Sequence, residues 1–188
     1  MARARSPLTL LAASVLLAAC GKDPHVPVEV PLLVDNFNSE NAATPALMFK
    51  TFTNWTVEDG TVDLVGANSD WDFVPGNGLY VDLDGDRPDG FTFDSGRLAS
   101  KQVFALTPGT YILRYRLAGS QRGDTNITRV SLGEVYDESI GLASNTPFQP
   151  VERVFKVKTT TQARLVFENQ GADGFGLLLD DVSLVRLD

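Results

Sequence analysis

The sequence predicts an all-β protein, an antiparallel β-sandwich of about eight or nine short strands. Three observations carry this. From residue 32 onward, apolar residues recur with period two. Clusters of turn-forming residues separate the runs. No window of useful length shows the 3.6-residue period of an amphipathic helix.

The elements follow in chain order. Residues 1–19 hold Arg3 and Arg5 ahead of a short apolar run from Pro7 to Ala19. Two cations before a run too short to span a bilayer form a secretory signal. The run ends in Leu17-Ala18-Ala19-Cys20, which resembles the lipobox of bacterial lipoprotein signal peptides. That resemblance implies a diacylglyceryl group on the Cys20 thiol and cleavage before it. Acyl chains there would tie the chain to a membrane without a spanning segment. Gly21 follows Cys20 where enteric inner-membrane retention signals carry Asp, so an outer membrane is the expected home where the cell has one. Residues 20–31 contain Pro24, Pro27 and Pro31 and read as the lipidated Cys and an extended tether. The folded domain is expected over 32–188.

Within that domain, Leu79, Val81 and Leu83 alternate with Tyr80, Asp82 and Asp84. Tyr111, Leu113, Tyr115 and Leu117 alternate with Ile112, Arg114 and Arg116. Val130/Leu132, Phe155/Val157 and Leu165/Phe167 continue the pattern. Successive strand side chains face opposite ways, so each run buries one face and wets the other. Leu113, Tyr115, Leu117, Val130, Leu132, Phe155, Val157, Leu165 and Phe167 are therefore the predicted core, with Trp55 and Tyr111. Turns are expected at Glu58–Gly60, Pro75–Gly78, Asp84–Asp86, Pro108–Gly109 and Gln121–Asp124. One short helix is predicted over 44–50, with Thr44 capping and Pro45 in its first turn.

Composition narrows the function. The 188 residues carry 16 Lys+Arg against 24 Asp+Glu, a net −8. Loss of Arg3 and Arg5 with the leader leaves fourteen cations against the same 24 acids, a net −10. Nucleic-acid binding needs the opposite balance. The single His, His25, lies in the tether and the single Cys is Cys20. A Ser-His-Asp relay or a His/Cys zinc site in the folded domain is thereby excluded. No motif singles out a catalytic carboxylate pair, so a non-catalytic protein is expected.

Several segments together resemble galactose-binding-domain-like jelly rolls, notably carbohydrate-binding modules of families four and nine. They are Val34-Asp35-Asn36-Phe37-Asn38, Trp55-Thr56-Val57, Gly60–Val65, Tyr80–Gly85, Pro108-Gly109-Thr110-Tyr111 with Leu117-Ala118-Gly119, and Gly176–Leu184. The resemblance covers nearly all of the mature chain. It implies a structural calcium ion between the first and last strands, held here by Asp35, Asn38, Asp180 and Asp181. Asn38 stands where those families often carry Glu. Calcium is a hard cation that takes six to eight oxygens.

Two more readings concern ligands. Trp71 lies in the polar stretch Asn68-Ser69-Asp70-Trp71-Asp72, and Tyr80 and Asp82 take the outward parity of their strand. These three form the predicted glycan platform, with aromatic rings for sugar faces and a carboxylate for hydroxyls. Arg114, Arg116, Arg129, Lys156, Lys158 and Arg164 share outward parity and would keep wet strand faces soluble, or present a basic face. Asp82–Asp89 echoes a calcium loop but has Arg87 and Phe93 where an EF-hand wants Gly and Glu. The expected protein is a lipid-anchored envelope protein whose domain binds a polysaccharide. The alternative is a structural or adhesion lipoprotein that binds another protein.

Overall fold

The computed structural model describes residues 27–86, 95–171 and 173–188. Among these, thirteen strands form three antiparallel sheets. The strands are β1 (Glu29–Asp35), β2 (Trp55–Asp59), β3 (Asp63–Gly66), β4 (Leu79–Asp82), β5 (Arg97–Ser100), β6 (Phe104–Leu106), β7 (Gly109–Ala118), β8 (Thr125–Leu132), β9 (Tyr136–Ala143), β10 (Gln149–Val157), β11 (Thr161–Ala163), β12 (Leu165–Asn169) and β13 (Leu178–Leu187). One layer runs β10-β7-β13-β4-β3, with β1 also on β13. The other runs β2-β5-β12-β8-β9, and β6 pairs β11 apart from both. The expected antiparallel sandwich is borne out. The strand count exceeds the expected eight or nine because three- and four-residue strands such as β5, β6 and β11 are too short to show a period.

β13 is the pivot of the larger sheet. It pairs with β7 along its length on one side, and with β4 and then β1 on the other. A bulge between Asp180 and Ser183 shifts its register, with Asp181 at φ 50°. Leu177 and Leu179 face the core before the bulge, and Val182 and Leu184 after it. One inserted residue keeps both halves of the strand apolar-side-in. β1 begins at Glu29, so the sandwich takes in the last three residues assigned to the tether. Pro31 is accommodated there by a register shift on the strand's pairing with β13.

The core lies between the layers. Trp55, Phe37, Phe52, Phe167 and Tyr115 fill it, with Trp55 edge-on to Phe167 at 5.8 Å. Every predicted core residue is buried except Phe155. Phe155 sits on edge strand β10, half-buried and stacked on Tyr111 and Tyr136 at 5.9 Å each. The predicted helix over 44–50 does not form. Ala46 exchanges backbone hydrogen bonds with Leu64 (2.8 and 3.0 Å) and Phe49 N–H reaches Val62 O (3.0 Å), drawing the segment along β3. A short 3-10 turn stands instead at Glu40–Ala43, with left-handed backbone at Asn41 and Ala42.

Candidate functional site

The predicted platform is largely roofed over. Tyr80 and Asp82 do lie on the outer face of β4, but both are fully buried. The loop between β3 and β4 folds back across that face. Phe73, Val74 and Phe148 pack with Val65, Tyr80, Ala118 and Leu178 into a second, smaller core. The Tyr80 hydroxyl accepts the Val74 N–H (2.8 Å) and donates to Asp72 Oδ1 (3.1 Å). Burial, with the Asp72 carboxylate nearby, pushes the phenol far above its ordinary range. Tyr80 and Asp82 are thus corrected from ligand contacts to supports. A strand apolar on one face and polar on the other reads as half wet, but here a loop covers the polar face. Trp71, in the same loop, is exposed at 39%.

The support converges on Arg122, in the β7–β8 turn. Its guanidinium pairs with the buried Asp82 carboxylate. It also donates to Ser120 O (3.2 Å) and Gly174 O (3.0 Å). Phe73 stacks on the guanidinium at 4.4 Å and Phe175 at 4.9 Å. Three loops therefore meet on one cation. Asp82 Oδ1 accepts the Gly176 and Asp84 N–H groups (3.0 and 3.2 Å). Burial pushes Asp82 up to about 8, against the pull of Arg122. Asp84 Oδ2 accepts the Asp173 and Gly174 N–H groups (3.1 and 3.2 Å), while its buried Oδ1 has no partner. Burial pushes Asp84 up to about 6. A Cβ on Gly176 would sit 2.6 Å from Asp82 Oδ1, so this close approach requires glycine. The pinned segment presents Phe175 at 38% exposure.

Beside these loops lies an open cleft of about 500 Å³, walled by Gln121, Gly123, Asp124 and Thr125 from one loop and Ala143, Ser144 and Asn145 from another. Ser120 and Ser144 hydroxyls meet at 3.2 Å, and Asp124 accepts the Asn126 amide at 2.8 Å. Burial, with the Asp124 carboxylate nearby, pushes the Asp173 carboxyl up from its ordinary range. The arrangement offers two exposed rings and a polar cleft rich in hydroxyl, amide and carboxylate oxygens. That chemistry suits a polyhydroxylated ligand.

The four residues expected to hold calcium do not fit it. Asp35 Oδ1 accepts the Phe37 N–H (2.9 Å), and Oδ2 accepts Trp55 Nε1 (2.8 Å) and Asn54 Nδ2 (3.0 Å). Asn38 Oδ1 accepts the Leu79 N–H (2.8 Å). Asp180 Oδ1 accepts the Asp181 N–H (2.8 Å), and Asp181 pairs with Arg116 (2.9 Å). The oxygens are turned onto protein donors, not into a shared cage. Among the described residues no group of three His, Cys, Asp or Glu side chains could hold a metal. Burial, with the neighbouring Asp181 charge, pushes Asp180 up to about 7.

Cys20 and His25 lie outside the described residues, as does Arg87–Asp89 of the echoed calcium loop. The basic face does not assemble. Arg114 pairs with Glu29 and Glu152, Arg116 with Asp181, Arg129 with Asp137 and Arg164 with Glu58. Arg129 belongs to the smaller sheet, away from Arg114 and Arg116. Sequence reasoning missed Arg122, Phe73 and Phe175. In the sequence Arg122 is one residue of the Gln121–Asp124 turn, and no period marks a loop aromatic. Glycines flanking the cation and the ring, Gly123, Gly174 and Gly176, were the available signal.

No family model matches the chain, and no curated protein matches it. Solved structures do. The K1 cleaved adhesin domain of Lys-gingipain from Porphyromonas gingivalis W83 aligns with TM-score 0.51 and 14% identity, over 81% of this chain and 96% of that one. The K3 cleaved adhesin domain of the same protein gives TM-score 0.50 and 13% identity, over 84% and 99%. TmCBM61 in complex with beta-1,4-galactotriose gives TM-score 0.48 and 18% identity, over 75% and 99%. Carbohydrate-binding modules thus stand among the similar structures, while families four and nine stay at the level of resemblance. What the chain shares with the two adhesin domains, at these identities, is the sandwich fold.

Proposed function

We propose that this protein is a non-catalytic glycan-binding domain, held at the cell envelope by a lipid on Cys20. The carrying observation is the loop end of the sandwich. There Trp71 and Phe175 stand half-exposed, on loops fixed through Arg122, beside a polar cleft. Sugar rings stack their C–H faces on such aromatics, and their hydroxyls suit Gln121, Asp124, Ser144 and Asn145. Asp82 and Tyr80 act beneath the surface, setting Arg122 and the covering loop. The buried Asp82–Arg122 pair supports the reading because removing either partner alone would strand the other in the interior, so the loops are held in one arrangement.

Membrane attachment rests on the leader and on Leu17-Ala18-Ala19-Cys20. An outer membrane is the proposed site where the cell has one. A glycan array probed with the protein tests the binding reading. Capture of at least one oligosaccharide class is expected. Silence across neutral, acidic and amino sugars, with a partner protein recovered by crosslinking at the Phe175 loop, would replace it with protein adhesion. Mass spectrometry of the native protein should find acylated Cys20 at its amino terminus, and an unmodified terminus elsewhere would remove the anchor.

A further inference from the structure

Strand β13 joins two different ends of the sandwich. It starts at Leu178, beside the Phe175 loop, and finishes at Leu187, which pairs with Glu29 at the start of β1. Its ten residues span roughly 30 Å. At the far end Val28 and Asp188 exchange backbone hydrogen bonds (3.1 and 3.0 Å). Val28 follows Cys20 by eight positions, and a chain of that length reaches at most about 29 Å. With Cys20 acylated, the end held close to the membrane is therefore this one, and not the end that carries Phe175.

Lys156 stands at the same end, opposite Thr110, which is itself opposite Leu187. Lys156 and Lys158, with Thr159 and Thr161, wall an open hollow of about 310 Å³ against Glu134 and Val135 of the β8–β9 turn. Among the described residues neither lysine has a carboxylate within ion-pair distance, whereas every arginine there does. Two acids of this end are already taken, Glu29 by Arg114 and Asp188 by Arg186. Glu134 is the one acid of the hollow, against two ammonium groups. A chain of net −8 thus keeps two unpaired cations and two hydroxyls together on one wall.

The geometry points to a phosphate site: Lys156 and Lys158, with Thr159 and Thr161, take a headgroup phosphate of the anionic membrane that holds the anchor. Lysine ammonium groups bind phosphate as point charges, and hydroxyls donate to its oxygens. This rests on the acylated Cys20 proposed above and adds the surface that the domain sets against the lipid. A tether this short keeps headgroups at high local concentration around the hollow, so two lysines suffice where a free protein of this net charge would be repelled. The contact fixes how the domain stands. The lysine end faces the membrane, and the Phe175 loop faces away from it, toward glycans that are not part of that lipid surface.

The test is lysine reactivity in the native acylated protein. The protein is inserted into vesicles of phosphatidylcholine alone or mixed with phosphatidylglycerol, floated, and acetylated for a short time. Mass spectrometry then reads each lysine. Lys156 and Lys158 should react at least about fivefold more slowly on the phosphatidylglycerol vesicles, the scale of one lysine at an anionic surface. Lys50, exposed and also without an ion pair among the described residues, should react equally on both. Equal reactivity of Lys156 and Lys158 on the two vesicles overturns the inference and leaves the anchor standing. Equal slowing of Lys50 also overturns it, since the effect would then need no site. Protection by inorganic phosphate on phosphatidylcholine vesicles, with none from phosphatidylglycerol, would assign the hollow to free phosphate and overturn the membrane contact. Failure to float with either vesicle removes the anchor and this inference together, while the glycan array reads ligand binding separately.

Discussion

Trp71 and Tyr80 belong to one loop-and-strand unit and have opposite fates. Tyr80 is sealed beneath Phe73, Val74 and Phe148, whereas Trp71 stands in solvent. Trp71→Ala should therefore weaken glycan binding more than about tenfold, the scale of a central aromatic contact. Its melting temperature should stay near that of the native chain. Tyr80→Phe removes two hydrogen bonds from a buried hydroxyl and should cost about 1–3 kcal/mol, read by urea denaturation. Asp84 gives a pH prediction. Burial lifts its folded pKa to about 6, above the unfolded value. The stability it contributes is fully present below the unfolded pKa and is lost as pH rises through about 6. Between about pH 4 and 7, Asp84→Asn should thus gain on the native protein as pH rises. A constant difference across that window would contradict the assignment.

Local backbone tells a parallel story at the scale of elements. The 3-10 turn holds Asn41 and Ala42 in left-handed backbone, and Ala43 also has positive φ. For an L-residue that conformation costs roughly 1–2 kcal/mol. Ala42→Gly should raise stability by about 1 kcal/mol in denaturant titration. Gly176→Ala should do the reverse by several kcal/mol, since its Cβ collides with the Asp82 carboxylate that the loop is pinned to. These features explain what the residues alone disclosed. Long runs such as Tyr111–Leu117 were legible because both sheet neighbours and core contacts obey one parity. The end of β13 was not, because the bulge at Asp180–Asp181 breaks the parity between Leu179 and Val182. The segment 44–50 carries a good capping pattern, and a few backbone bonds to β3 outweigh it.

At the scale of the whole molecule, the sandwich leaves its mid-core to packing and gathers its unusual chemistry at one end. Phe167→Ala, in the centre, should cost roughly 3–5 kcal/mol through lost burial and an unfilled cavity, without altering which ligand binds. The loop end works differently. Arg122 joins three loops that are far apart in sequence, and no local pattern announces such a meeting. That is why Trp71 was visible in the sequence as a candidate and its companion Phe175 was not. It is also why the strand period places Asp82 on the surface, while the loops that meet on Arg122 bury it.

The central claim is that Phe175, stacked on Arg122, and Trp71, in the loop whose Phe73 also stacks on it, form the ligand face. Isothermal titration of the best array ligand against the native protein, Trp71→Ala and Phe175→Ala tests it most directly, with melting temperatures recorded for all three. The account predicts saturable binding to the native protein, lost or weakened more than about tenfold in each variant, with folding intact. Full-strength binding to both variants would contradict it.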